Sequence, residues 1–218
     1  MEMLTVIGII TLLVALAAPA LVDVIRSTRL SSAGDSLLNR VSLAQQSAIS
    51  LSSEVELRFY KYVDSNSERP EAPTFYAYQV VHDQGGGRPL RALSEPYYLE
   101  SGIILSDLEV LSPLLNDTRN QAPDTNGNFV FNPAISGIEP DQIEYAALRF
   151  YPDGSCRSLA VGGDEDDEGG GAAGFVVPEL QESFVTLVES RFAQIDTPTN
   201  YYCIQIDSYT GKTRLYRP

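Results

Sequence analysis

The chain has 218 residues, 29 of them acidic and 15 basic, for a formal net charge of −14. A surface of that sign repels phosphate backbones and argues against nucleic acid as a partner. One histidine rules out metal sites that need two imidazoles, and the length holds one ordinary domain beyond an anchor.

Residues 1–22 carry one charged side chain, Glu2, in an apolar run interrupted only by Thr5, Gly8, Thr11 and Pro19. Roughly 20 residues at ~1.5 Å of rise make about 30 Å of helix, the thickness of a bilayer core. A carboxylate at the mouth of such a segment loses several kcal/mol of solvation unless something compensates it. The basic residues come after the run, at Arg26, Arg29 and Arg40, whereas ordinary anchors and secretory signals carry them before it. A cleaved signal is one alternative, with residues 3–14 as its apolar core and Ala15-Leu16-Ala17 as a small-x-small site. It lacks the basic start and leaves Glu2 without a role. Another single-span anchor is the third reading.

Beyond the run, Leu30, Ala33, Leu37, Val41, Ala44, Ala48 and Leu51 fall at three- and four-residue steps, one stripe of a helix. The period then changes to two: Val55, Leu57 and Phe59 alternate with Glu56, Arg58 and Tyr60, as in a half-buried strand. Residues 64–70 read as a loop and 75–81 as a second strand; residues 90–99, broken by Pro96, and 102–105 are weaker strands. Residues 116–128 read as a long loop, and residues 146–151 as a strand that ends at the turn Pro152-Asp153-Gly154. Phe184 to Val188 suits a strand by composition, although Leu180, Phe184, Leu187 and Val188 also fit a helix starting at Pro178. Residues 201–207 and 212–216, joined through Thr210-Gly211, form a hairpin. The fold class is α+β, a long helix packed on an antiparallel β-sheet head. Residues 1–53 are the helix, with residues 1–25 for membrane or assembly and 26–53 amphipathic, and residues 54–218 are the head.

The search for chemistry returns little. His82 has no nucleophile motif around it, and Gly85-Gly86-Gly87 lacks the Lys-(Ser/Thr) of a phosphate loop. No enzymatic activity is expected. Asp164, Asp166 and Glu168 alternate ahead of Gly169, as in the first half of a calcium loop, but Phe175 stands where the bidentate Glu belongs. The cluster reads as a solvated acidic loop, with calcium as the alternative and no other cofactor. Cys156 and Cys203 are a candidate disulfide if their strands are neighbours, and plain small core residues if not.

The opening Met1-Glu2-Met3-Leu4-Thr5-Val6-Ile7-Gly8-Ile9-Ile10 resembles the type IV pilin and pseudopilin N-terminus from its last pre-glutamate residue onward. Met1 stands where that family has Val or Ile, and a GTG valine codon read as an initiator gives this start. Pro19, within Ala17-Ala18-Pro19-Ala20-Leu21, sits where pilin helices often carry a proline. Leu43-Ala44-Gln45-Gln46-Ser47-Ala48-Ile49 is similar to a phrase of the type II secretion minor pseudopilin H family, with Gln45 in place of the usual Arg. Residues 55–62 and 206–218 resemble the verrucomicrobial pilin-like cassette protein D family.

The resemblance implies a structural subunit, a minor pseudopilin or pilin-like protein, of a type II secretion or type IV pilus-like filament. It implies a single-pass protein of the inner membrane with its head in the periplasm, later drawn into a filament. The implied partners are the lipid bilayer, other pilin-like subunits, an inner-membrane assembly platform and a prepilin peptidase that cuts a leader and N-methylates the new terminus. Glu2 and Pro19 are the implied assembly residues, and some pseudopilins bind calcium in a C-terminal loop. The alternative function is a membrane-tethered extracytoplasmic binding protein. In-frame DNA upstream of Met1 is expected to encode a Lys/Arg-rich leader ending in Gly-Phe-(Ser/Thr)-Leu; a stop codon directly before Met1 contradicts this.

Overall fold

The computed structural model describes residues 2–64, 72–84, 89–124, 126–133, 138–160 and 174–218, apart from the side chains of residues 2, 4, 5 and 13–21. One helix, α1 (Glu2–Leu51), precedes twelve strands among these residues. They are β1 (Val55–Tyr62), β2 (Thr74–His82), the two-residue β3 (Arg91–Ala92) and β4 (Tyr97–Tyr98), β5 (Ile103–Leu105), β6 (Arg119–Asn120) and β7 (Glu144–Phe150). Then come β8 (Cys156–Ala160), β9 (Gly174–Val176), β10 (Phe184–Glu189), β11 (Tyr201–Ile206) and β12 (Thr213–Tyr216). All belong to one antiparallel sheet in the order β12-β11-β10-β5-β2-β1-β7-β8-β9, with β3 and β4 on β2 and β6 on β7. The expected α+β architecture is the one found.

Alpha1 divides at about Leu30. From there Leu30, Ala33, Leu37, Val41, Ala44 and Ala48 are buried against the sheet, at the spacing that brings residues onto one helix face. Leu51, the last residue of the expected stripe, is exposed because the helix ends there. Ser52 then takes the left-handed φ of 49° that usually falls to glycine at a helix end, and its chain turns straight into β1.

The stripe is rich in small side chains, so the helix lies close to the sheet. At Gly34 a Cβ would stand 2.3 Å from the ring of Tyr202, well inside van der Waals contact. The Tyr202 hydroxyl donates to Asp35 Oδ1 at 2.5 Å, and Arg217 lies over the same ring while reaching Asp35 at 3.5 Å. About three turns further along, Gln45 Nε2 donates to the carbonyls of Gly154 (3.1 Å) and Thr210 (2.8 Å). That amide ties the helix to the β7–β8 and β11–β12 turns at once. Gly211 beside it has φ of 64°, and a Cβ there would collide with Gln45 and the Gly154 carbonyl.

The sheet is buried on both faces at its centre. On the helix side lie Val55, Leu57, Phe59, Tyr78, Val80, Leu148 and Phe150. On the far side Tyr60, Tyr62, Ala77, Tyr145, Ala147 and Leu159 form a second cluster, closed by Phe131 and Ile143 from the chain that precedes β7. Phe131 stacks on Tyr60 with centroids 3.9 Å apart, and Gln121 Nε2 holds that chain by donating to the carbonyls of Phe131 and Pro140. Glu56, Arg58 and Tyr60, expected to face solvent, are therefore buried.

Phe184 to Val188 is strand, as composition favours, and the 201–216 hairpin forms as read. Residues 90–99 yield only β3 and β4, on either side of Pro96. Beta6, β8 and β9 were not anticipated. Gly34→Ala is expected to cost about 1–3 kcal/mol by overpacking, and Gln45→Ala about 1 kcal/mol by removing the donor of one part-buried and one exposed hydrogen bond. Denaturant midpoints of the full chain in detergent check both; unchanged midpoints contradict the close-approach account.

Candidate assembly surface

Among the described side chains of the N-terminal half of α1, no apolar one is buried by the head. Met3, Val6, Ile7, Ile9, Ile10, Leu12, Val22, Val24 and Ile25 are all exposed, Met3 at 78% and Leu12 at 62%. At 100° per residue these positions run right round the helix and do not fall on one stripe. An all-round apolar helix belongs inside a protein core, a bundle of like helices or a membrane. Burying nine such side chains is worth on the order of 10 kcal/mol or more, a drive the head leaves unused.

One polar side chain of this half is satisfied within the helix itself. Thr11 Oγ1 donates back to the carbonyl of Ile7 at 2.8 Å, so its hydroxyl needs no water. Space around Gly8 is open to any neighbouring backbone. Charge returns at Asp23, Arg26 and Arg29, where Arg26 pairs loosely with Asp23 at 4.0 Å and Arg29 reaches Glu100 of the head at 3.7 Å. The chemical change from apolar to polar thus coincides with the point where the helix meets the head.

Glu2 is the first residue of α1 and Pro19 lies within it, so the helix runs through the proline. The side chains of both, and the middle of the apolar run at residues 13–21, lie outside those described. Among the described residues no helix is long and apolar enough to cross a membrane.

The remaining sequence candidates are not brought together. Cys156 and Cys203 are free thiols. Beta8 and β11 are not neighbours in the sheet, and Cys156 belongs to the helix-side core while Cys203 alternates with the inward Tyr202 and Ile204. The disulfide condition, neighbouring strands, is not met. Burial pushes the Cys156 thiol up to about 12, and Cys203 is raised by the same cause. Asp164, Asp166 and Glu168 lie outside the described residues, as does Gly85-Gly86-Gly87; among the described residues no group of three or more His, Cys, Asp or Glu is placed to hold a metal. His82 ends β2 with a buried Nε2 that has no hydrogen-bond partner among the described residues. What sequence reading missed is the role of Gln45: its donor amide meets two turn carbonyls, a contact visible only once the turns are placed.

No protein-family model matches the chain, and no curated protein does. Among solved structures it is similar to the minor pseudopilin EpsH from the type 2 secretion system of Vibrio cholerae. The likeness has 10% sequence identity, covers 87% of this chain and 98% of that one, and has a TM-score of 0.41.

Unfolded in guanidinium without reductant, the chain is expected to show both thiols reactive toward an aromatic disulfide reagent, with Cys156 unreactive in the native state. An unfolded chain with no reactive thiol contradicts the placement of these strands.

Proposed function

We propose that this chain is a structural subunit, a minor pseudopilin or pilin-like protein, of a type II secretion or type IV pilus-like filament. The observation that carries the reading is the division of α1: its C-terminal half is built into the head, while the described apolar side chains of its N-terminal half point to every side and are exposed. Before assembly that half rests in the inner membrane as a single pass, with the head in the periplasm. On assembly it leaves lipid for the matching helices of sister subunits, so its apolar surface stays buried throughout. The assembly platform that draws it out and the prepilin peptidase that frees its terminus belong to the same proposal.

Glu2 is the register device in this scheme. Its carboxylate is satisfied by the freed amine of a neighbouring subunit. A buried ion pair adds little net stability, but losing one partner costs about 3–5 kcal/mol and so penalises every wrong register. Pro19 removes one backbone donor and loosens the helix where it must change surroundings. The role is structural and needs no cofactor.

Glu2→Ala and Glu2→Val are expected to leave the head folded and the protein in the membrane fraction, yet to block incorporation, measured by cross-linking to neighbouring subunits in cells. Wild-type incorporation of either variant contradicts the role given to Glu2, and loss of the full chain from the membrane fraction contradicts the anchor.

A further inference from the structure

A second feature of the head lies on the sheet face away from α1. There a cavity of about 590 Å³ opens between β1, β7, β8, β9 and the chain around residues 119–124, a volume within the ordinary range of ligand sites. Arg58, Arg119, Arg149 and Arg157 line it, with Tyr145 and Tyr151 between them. Four of the chain's 15 basic residues therefore share one hollow of a strongly acidic protein.

Three of these guanidinium groups stand over aromatic rings. Arg58 lies 4.3 Å from the centroid of Tyr145, Arg149 3.9 Å from Phe175, and Arg157 4.8 Å from Tyr151. Stacking engages the face of the group and leaves its N–H edge for an acceptor in the same plane. Two of the four are already used. Glu56, 2% exposed, accepts from Arg58 Nε at 2.6 Å through one oxygen and from Arg149 Nη2 at 2.6 Å through the other. Arg149 also reaches Glu54 and Asp83. Such a buried network is costly for a fold, since each desolvated ion forfeits several kcal/mol of hydration; it fixes the floor of the cavity.

Arg119 and Arg157 are different. Both are exposed, and neither has a carboxylate within 4 Å among the described residues. Asp124, the remaining acid of the lining, accepts at Oδ1 from the backbone N–H groups of Asn126 and Asn128 in its own loop. Alongside runs β9, the last strand of the sheet, whose Gly174 and Phe175 line the cavity and whose outer edge pairs with no strand among the described residues. Val130, Leu90 and Pro89 supply an apolar wall.

The geometry points to a docking site for an extended acidic segment of a partner protein, its carboxylates held by Arg119 and Arg157 and its backbone running beside β9. Charge complementarity selects the occupant: two exposed, fork-shaped cations with no carboxylate within 4 Å among the described residues fit carboxylates in bidentate fashion, and a sheet edge that pairs with no strand among the described residues fits an extended backbone. None of these residues belongs to α1, so the site stands or falls apart from the assembly role.

The test uses the full chain in detergent micelles and fluorescence anisotropy. The probes are a labelled short peptide of alternating Glu and Val, its Gln-for-Glu counterpart, and inorganic phosphate as competitor. The Glu peptide is expected to bind saturably and the Gln peptide about tenfold or more weaker, as loss of charge-assisted hydrogen bonds requires. The double variant Arg119→Ala, Arg157→Ala should show a similar loss with an unchanged circular dichroism spectrum, both side chains being exposed, and Arg191→Ala, outside the cavity, should bind as wild type. Equal binding of the two peptides, no binding of either, or wild-type affinity in the double variant overturns the proposal. Displacement by phosphate at equal concentration overturns it in favour of a free oxyanion site.

Discussion

One unbroken helix has to satisfy two unlike apolar surroundings, and the rest of the molecule is arranged around that constraint. Between Leu30 and Ala48 the helix is a stripe that completes the head's core; between Met3 and Ile25 its described apolar side chains point in every direction and none is buried by the head. A head that covered the first half would hide the surface the proposed assembly needs. A head that released the second half would lose the lid of its own sheet. The boundary at Asp23, Arg26 and Arg29 keeps the two duties apart.

Holding the packed half firmly is what lets the other half project. Small residues let α1 approach the sheet so closely that Gly34 lies beneath the ring of Tyr202. Asp35 and Gln45 then add directional contacts, one to Tyr202 and Arg217, the other to two turns far apart in sequence. Dispersion and burial provide most of the stabilisation, while these polar contacts fix the helix's rotation and height on the sheet. On the opposite face Phe131 and Gln121 close the second core, and that closure leaves the arginine-lined hollow beside it. The same sheet thus carries the stalk on one side and a differently charged surface on the other.

Much of this was legible in residue order, for stated reasons. The 3.6-residue stripe from Leu30 to Ala48 and the two-residue alternation from Val55 to Phe59 are periodic signals, and both elements are where the periods put them. The 201–216 hairpin was marked by Thr210-Gly211, and Gly211 has the positive φ that such a turn asks for. What alternation could not show is that the polar phase of β1 is also buried. Glu56 and Arg58 read as solvent-facing because nothing local reveals Phe131 or the ion partner Arg149, which arrives from 93 residues away in sequence. Beta8 and β9 escaped notice because they are short and interrupted in pattern, and β6 because two residues carry no period. The exposed apolar half of α1, by contrast, is local in sequence and is read from its run of apolar residues. The arginine cavity is assembled from distant strands and was not.

The claim that the two halves of α1 occupy different surroundings has a direct measurement. The chain contains no tryptophan, so a single Trp introduced at Ile9 or at Leu43 reports one position of the helix. In vesicles of brominated phospholipid, Trp at position 9 is expected to emit in the blue and to be strongly quenched by the acyl chains, while Trp at position 43 remains unquenched. Equal quenching at both positions, or a water-like, unquenched emission from position 9, contradicts the account.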